Sequence, residues 1–284
     1  MNVAITGANG YLGSRLSSYF SSQGKNVLKL VRNPCEHGEL RFDLRAPFLP
    51  NTSLRGVDIL IHCAYDFGVR NPESIQKVNA DGSRYLFSFA QRSGVKHIIY
   101  ISSVSAICHT KSAYGKAKCQ IEVLAKEANC IIVRPAFIIS RKPSGMHEKL
   151  TKILRNHLLV PCFTRHIPFY ITYEKELVYF LFNLCQSPLN LSSDQFNAFS
   201  PKPIDFSLFL KEISQSQGFN NIFIPTHPQL ILLALKLLEL FPIEFNFRSD
   251  NFLGLLYSGT IPELESFSNC TDSLFSEYDR NMIK

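Results

Sequence analysis

Three glycines that follow an opening apolar run constrain this chain more than any other feature. Residues 3–6 (Val-Ala-Ile-Thr) read as a short buried strand. Thr6-Gly7-Ala8-Asn9-Gly10-Tyr11-Leu12-Gly13 follows at once and leads into a helix from Tyr11 to about Gln23. Gly7 permits a tight strand-to-helix turn. Gly10 lets the backbone approach a pyrophosphate with no Cβ in the way, and Gly13 lets the helix pack close on the strand. The helix N-terminus adds free N–H groups and the positive end of a dipole. A glycine-rich turn without a ligand uses the same residue type; the position between strand and helix is what points to a dinucleotide.

The pattern then repeats as strand and helix. Strands are expected at Asn26–Val31, Glu39–Phe42, Asp58–Cys63, His97–Ser102 and Cys130–Arg134. Helices are expected at about Pro72–Arg92 and Ser112–Ala128. Strands apolar on both faces, separated by helices, imply a parallel sheet covered on both sides. The expected fold is α/β, a Rossmann-type doubly wound sheet. Beyond Ser140 the alternation fades. Helices are expected at Gly145–Leu159, Glu174–Cys185, Asp205–Gln217, Pro228–Phe241 and Asp250–Tyr257, with extended segments at Pro168–Thr172 and Gln195–Phe199. Residues 1–140 therefore form the expected dinucleotide-binding domain, to which 168–200 add elements. Residues 141–167 and 201–284 form a smaller, mostly helical substrate lobe.

Composition removes several alternatives. With 284 residues, 45% hydrophobic and 19% charged, the chain is neither disordered nor a coiled coil. The net charge of +7 is spread without a basic block, so nucleic-acid binding is not expected, while anionic ligands or an acidic membrane surface would suit it. No apolar run reaches the ~18 residues of a membrane span, and no charged n-region with an h-region opens the chain. A soluble cytoplasmic protein is the expectation. Eight cysteines fall at irregular intervals with no C-x-x-C, and the histidines are scattered, so no metal is expected.

Tyr114 and Lys118 stand at i and i+4 of an expected helix and share a face. A free phenol has a pKa near ~10, and work as a base near neutrality needs roughly 4 kcal/mol of phenolate stabilisation. A nearby ammonium and an oxidised nicotinamide both supply this. The same pair occurs on amphipathic surface helices, so its weight comes from the strand Tyr100-Ile101-Ser102-Ser103 just before it.

Together these segments resemble the extended short-chain dehydrogenase/reductases, the NAD-dependent epimerase/dehydratase family. Gly7-x-x-Gly10-x-x-Gly13 looks like its N-terminal fingerprint. Val57–Ala64 resembles its "D-V-I-H-x-A" strand, Asn79–Ser83 its "N-x-x-G-T" helix, and Tyr100–Ser103 its "V-Y-x-S-S" strand. Ser112–Lys118 is similar to its "Y-x-x-x-K" helix, and Val133-Arg134-Pro135 to the "R-P" strand that opens the substrate lobe. The resemblance covers about residues 1–200. It implies catalysis by Ser103, Tyr114 and Lys118, with Ser102 and Ser105 as neighbouring candidates for the serine. It also implies cofactor contacts from Gly7, Asn9, Gly10, Tyr11, Leu12 and Gly13, and from Cys63, Ala64 and Tyr65 at the end of the fourth strand. Asn79, Ser102, Tyr114, Lys118 and Pro135 complete the set.

The second strand bears on the choice of cofactor. Members that prefer NAD end it with a carboxylate for the ribose 2′-hydroxyl. Here Arg32-Asn33-Pro34 follows Val31, and no carboxylate comes before Glu36. A guanidinium there pairs with a 2′-phosphate, so NADP is preferred over NAD; a solvated Arg beside an NAD site is the alternative. Asp43-Leu44 resembles the pair beside adenine, although an Asp that caps its own loop reads the same.

The resemblance implies hydride transfer at a carbonyl or secondary alcohol, with a nucleotide sugar as the preferred substrate. Arg141, Lys142, Arg155, Arg165 and Arg248 are candidates for holding its diphosphate. Ser140-Arg141-Lys142-Pro143 and Ile107-Cys108-His109 depart from the family's usual sequences. Val104-Ser105 after Ser103 argues against dehydration. A simple ketone or aldehyde reductase is the alternative enzyme, and a non-catalytic NAD(P)-binding sensor or assembly subunit the alternative class. The helix Leu230–Phe241 is apolar almost all round, which suggests a buried helix or a subunit contact, as in a homodimer, with an interfacial membrane helix as the alternative.

Overall fold

The computed structural model describes residues 1–69, 71–107, 109–186, 194–241 and 247–258. The elements run β1 (Asn2–Thr6), α1 (Tyr11–Ser22), β2 (Asn26–Val31), β3 (Glu39–Arg41), β4 (Ile59–His62), α2 (Pro72–Arg92), β5 (His97–Ile101), α3 (Ala113–Glu127) and β6 (Ile131–Pro135). They continue β7 (Phe137–Ile139), α4 (Gly145–Asn156), β8 (Leu159–Phe163), β9 (Pro168–Phe169), β10 (Ile171–Tyr173), α5 (Glu174–Gln186) and β11 (Gln195–Ala198). The last are β12 (Ile204–Asp205), α6 (Phe206–Ser216), β13 (Ile222–Thr226), α7 (Pro228–Leu238) and α8 (Ser249–Ser258).

Seven strands form one sheet in the order β11-β6-β5-β4-β1-β2-β3, all parallel. Alternation along each strand divides the core in two. Val3, Ile5, Ile61, Ile99 and Val133 face α1 and α5, while Ala4, Leu60, Ile98, Tyr100 and Ile132 face α2 and α3. The chain leaves β1 towards β2 and β3, then returns to β4 on the other side. The crevice at this reversal, outside the carboxyl ends of β1 and β4, is where such sheets bind ligands.

The second lobe has its own core, in which Leu150, Leu154, Phe169, Phe206 and Phe209 meet. It is less purely helical than the sequence suggests. The helix expected to reach Leu159 ends at Asn156, and Leu159–Phe163 pairs in parallel with β13, a strand the sequence did not reveal. Burial within the chain, one of the two expectations for the Leu230–Phe241 helix beside a subunit contact, is also not met. In α7 Pro228 is the one buried residue, because its neighbours cover a single stripe of Ile231, Leu235 and Leu238. Among the described residues no helix is long and apolar enough to cross a membrane. Cys108 and Cys270 lie outside the described residues.

Candidate active site

The glycine turn is built for close approach. Gly7 has φ +63°, and a Cβ there would stand 3.0 Å from Ala64 Cα. A Cβ on Gly13 would lie 2.1 Å from the Gly7 carbonyl oxygen. Gly10 caps α1 with no side-chain hydrogen bond, so the helix's first N–H groups remain open to an anion. These features fit a dinucleotide pyrophosphate. Leu12 packs on the sheet core. Tyr11 does not turn its side chain to the crevice: its ring lies under Gly145 and its hydroxyl by Ser140 and Glu174, joining α1 to the second lobe. Asn9 is exposed and hydrogen-bonds Glu39.

Behind the crevice a buried polar chain sets the spacing of β1 and β4. The N–H groups of Cys63 and Ala64 both donate to Thr6 Oγ1 at 3.1 Å, so the Thr6 hydroxyl proton goes to His62 Nδ1 at 2.7 Å. The other ring nitrogen of His62 then donates to Ser83 Oγ at 2.9 Å, and Ser83 donates to the Asn79 carbonyl at 2.7 Å. Burial, helped by the Lys118 charge, pushes the His62 pKa down to about 3, in keeping with a neutral ring. Asn79 is fully buried. Its Oδ1 accepts the Asp66 N–H at 2.7 Å and its Nδ2 donates to the Ile75 carbonyl at 2.8 Å. Its amide thus holds the loop after β4 and is not presented to a ligand, contrary to the cofactor contact expected of it.

The three serines are resolved by their partners. Ser102 Oγ donates to Glu122 Oε1 at 2.6 Å, and Glu122 also accepts the Arg134 guanidinium. The Ser102 hydroxyl is therefore turned into the sheet–helix interface, not to the cofactor side. Ser103 Oγ accepts the Ser105 N–H at 3.1 Å and hydrogen-bonds the Tyr114 phenol. Ser105 lies against Gly254 of α8. Pro135 closes β6, and its carbonyl accepts from Val104 N at 2.9 Å.

Tyr114 opens α3, whose N-cap Ser112 accepts the Gly115 N–H at 2.9 Å. Gly115 is required by crowding, since a Cβ there would lie 2.4 Å from the Ser105 carbonyl oxygen. Lys118, buried at 4% exposure, donates to the Ile101 carbonyl at 2.7 Å. Its Nζ stands 4.9 Å from the Tyr100 ring centre, 5.2 Å from that of Tyr65 and 5.8 Å from that of Tyr114. Burial lowers the Lys118 pKa to about 8 against the raising influence of Cys63 and Glu122. Burial also raises Tyr114 to about 12, opposed by the Ser103 hydrogen bond. Tyr65 meets Tyr114 edge-on at 5.0 Å, and its buried hydroxyl has no hydrogen-bond partner among the described residues.

Tyr65, Tyr114, Phe67 and Ile75 form one wall of a cavity of about 670 Å³. Lys149 of α4, Phe241, Arg248, and Asp250 and Leu253 of α8 line the same cavity. Asp250 was not singled out in the sequence as a site residue. Its carboxylate accepts the N–H groups of Ala113 at 2.5 Å and Tyr114 at 3.2 Å, which joins the lobe to the helix that carries Tyr114 and Lys118. A partner 136 positions away leaves no local signal. Of the basic residues proposed for a diphosphate, Arg248 lines this cavity. Arg141 and Lys142 line a separate one of about 290 Å³ with Arg15 and Glu174, and Arg155 and Arg165 are exposed.

At the adenosine end, Arg32 Nη2 lies 3.7 Å from Asp66 Oδ1, and Arg45 forms a two-pronged pair with the same carboxylate. Burial pushes Asp66 up, yet these guanidiniums and the Gly68 N–H together hold it below the usual carboxylate value. Asp43 Oδ1 accepts the Arg45 N–H at 3.0 Å and so caps its own loop. Leu44 is buried against Gly82.

The parallel sheet, the uncapped glycine turn at its switch point and the adjoining Ser–Tyr–Lys group define a Rossmann-type dinucleotide-binding protein. The family model described as "NAD dependent epimerase/dehydratase family" matches residues 3–161, more than half of the chain, and the chain belongs to that family. It is 32% identical over 146 residues to a ceramide reductase of Caulobacter vibrioides, covering 48% of this chain and 46% of that one. It is 29% identical over 117 residues to sterol demethylase protein B of Methylococcus capsulatus, covering 38% and 36%. The matches thus span less than half of either relative. Among solved structures, MoeE5 in complex with UDP-glucuronic acid and NAD shares the fold at a TM-score of 0.66. It is 18% identical, with 80% of this chain and 86% of that chain covered.

Proposed function

We propose that this chain is an NAD(P)-dependent oxidoreductase that interconverts a carbonyl and a secondary alcohol on an apolar or amphipathic substrate. The observation that carries the reading is the meeting of Ser103, Tyr114 and Lys118 beside the β1/β4 crevice, with the Tyr114 ring on the wall of the large cavity. The nicotinamide, when bound, exchanges the hydride and in its oxidised form adds a positive charge. Ser103 donates a hydrogen bond to the substrate oxygen. Tyr114 gives that oxygen its proton in reduction and takes it back in oxidation. Protonated Lys118 stabilises the phenolate left behind. A phenol at about 12 is protonated near neutrality, which suits it to donation and hence to the reductive direction.

On the substrate class, Tyr65, Phe67, Val69, Ile75, Phe241 and Leu253 give the cavity an apolar part beside its charged lining at Asp66, Lys149, Glu239, Arg248 and Asp250, a division that suits an amphipathic substrate. The names of the two relatives above, a ceramide reductase and a sterol demethylase protein, point the same way. A nucleotide sugar is the competing reading, favoured by Lys149 and Arg248 in the same cavity. For the cofactor we infer NADP(H) over NAD(H). Arg32 and Arg45 gather on Asp66, and a 2′-phosphate would offer them a second anion. Glu39, bonded to Asn9 of the glycine turn, is the carboxylate that would favour NAD.

The test uses NADPH deuterated at nicotinamide C4 with long-chain ketones and with UDP-linked keto-sugars, read by mass spectrometry. Deuterium on the carbinol carbon of the lipid-like product is the expected result. Label appearing in the sugar alone would transfer the reading to nucleotide sugars, and no label in either would remove the oxidoreductase assignment.

A further inference from the structure

The second lobe carries an apolar surface that the oxidoreductase reading leaves unused. Helix α7 has two apolar stripes. Ile231, Leu235 and Leu238 face the protein and line a cavity with α4 and β8. Leu230, Leu233 and Leu237, at i, i+3 and i+7, form a second stripe that is 51–60% exposed. Pro161 of β8 lines the same cavity as Ile231, Leu235 and Leu238, which sets α7 beside the β8–β13 ribbon. Leu159 pairs with Ile222, and Pro161 with Ile224, in parallel register, so these four side chains share one face, and all four are exposed. Isolated surface leucines need no explanation, whereas a contiguous patch of this kind marks an interaction site.

We propose that this face rests on a lipid bilayer and that the cavity beside Tyr114 opens at it, so that the substrate is drawn from the membrane. Two observations favour a bilayer over a second copy of the chain. The first is continuity with the site: Leu240 and Phe241, which follow α7, are 79% and 60% exposed, and Phe241 also lines the Tyr114 cavity. The apolar surface therefore runs into the cavity mouth, as delivery of a water-insoluble molecule requires. The second is charge. The chain carries +7 overall, and Lys236 on α7 and Arg155 on the adjoining α4 are both exposed, which suits anionic headgroups. At 11 residues α7 is too short to span, so it would lie in the interface.

The inference rests on the reading of the Tyr114 cavity as the substrate site, and its test is independent of turnover. Vesicles of phosphatidylglycerol and phosphatidylcholine, and of phosphatidylcholine alone, are floated with the wild-type chain and with a Leu233→Glu, Leu237→Glu variant. Both side chains point away from the cavity, so the variant should keep its thermal midpoint and NADPH affinity. Should that variant not fold, Leu233→Ser, Leu237→Ser replaces it.

The expected result is flotation with anionic vesicles, weaker with neutral ones, and at least tenfold weaker partition of the variant. A wild-type chain that floats with neither vesicle overturns the proposal, as does a variant that partitions unchanged. A wild-type dimer that ignores vesicles, and that the substitutions turn into a monomer, assigns the face to a second copy and also overturns it. Reduction of a water-soluble ketone, measured alongside, reports on the catalytic reading separately.

Discussion

Lys118 shows how one side chain's surroundings set the conditions for chemistry. It is enclosed by Tyr65, Tyr100 and Tyr114, and its ammonium titrates near 8. Above that pH it loses the charge proposed to stabilise the Tyr114 phenolate. Reduction is therefore expected to fall on the alkaline side with an apparent pKa near 8, and the profile of kcat/KM against pH checks it. In Lys118→Met the alkaline limb should disappear along with most of the rate. The proposed preference for NADP(H) rests on Arg32. Arg32→Asp should reverse the preference for NADPH over NADH by about a hundredfold or more, as read by calorimetric titration of both cofactors. Tighter wild-type binding of NADH would place Arg32 outside the phosphate site. In the sequence the family resemblance alone favours Ser103 over Ser102 and Ser105, because strand alternation fixes a face and not a partner. Glu122, twenty positions on, decides that Ser102 points elsewhere.

At the level of elements, the glycine turn was legible because it is local: strand, turn and helix lie within 22 residues, and each glycine answers a contact that a Cβ would fill. Gly13→Ala would force its Cβ onto the Gly7 carbonyl. It is expected to abolish cofactor binding in calorimetry and to lower the thermal midpoint, whereas Gly24→Ala, with open space around it but φ +69°, should cost only stability. The pairing of β8 with β13 was not legible, since more than fifty residues separate the strands and Leu159 continues the apolar period of α4. The Thr6–His62–Ser83 chain gives a pH prediction. A histidine neutral in the fold down to about 3 takes up a proton first in the unfolded chain. Its contribution is therefore complete above ~6.5 and is lost as pH falls, about 2 kcal/mol of it by pH 5. Glu176, raised to about 7 by burial, acts in the opposite sense. The test is thus the difference between wild type and His62→Gln in urea unfolding at pH 7 and pH 5. Parallel losses in the two chains would contradict the buried neutral ring.

At the scale of the whole molecule, two lobes meet where catalysis is proposed. The Rossmann half supplies the crevice and Tyr114, while Asp250 of the second lobe holds the first turn of the same helix. The doubly wound parallel sheet was legible in the sequence because strands buried on both faces and separated by helices leave few arrangements. The lobe did not, since its contacts join distant segments around aromatic side chains with no shared period. The central claim is that Tyr114 moves the proton at a hydride-transfer site. The most direct measurement is turnover of the best ketone by Tyr114→Phe beside NADPH affinity in the same preparation. The account predicts a loss of at least a hundredfold in kcat, since general acid–base catalysis by one positioned group contributes about that much or more, with the cofactor Kd within about twofold of wild type. A variant that turns over like wild type, with its cofactor bound, would contradict it.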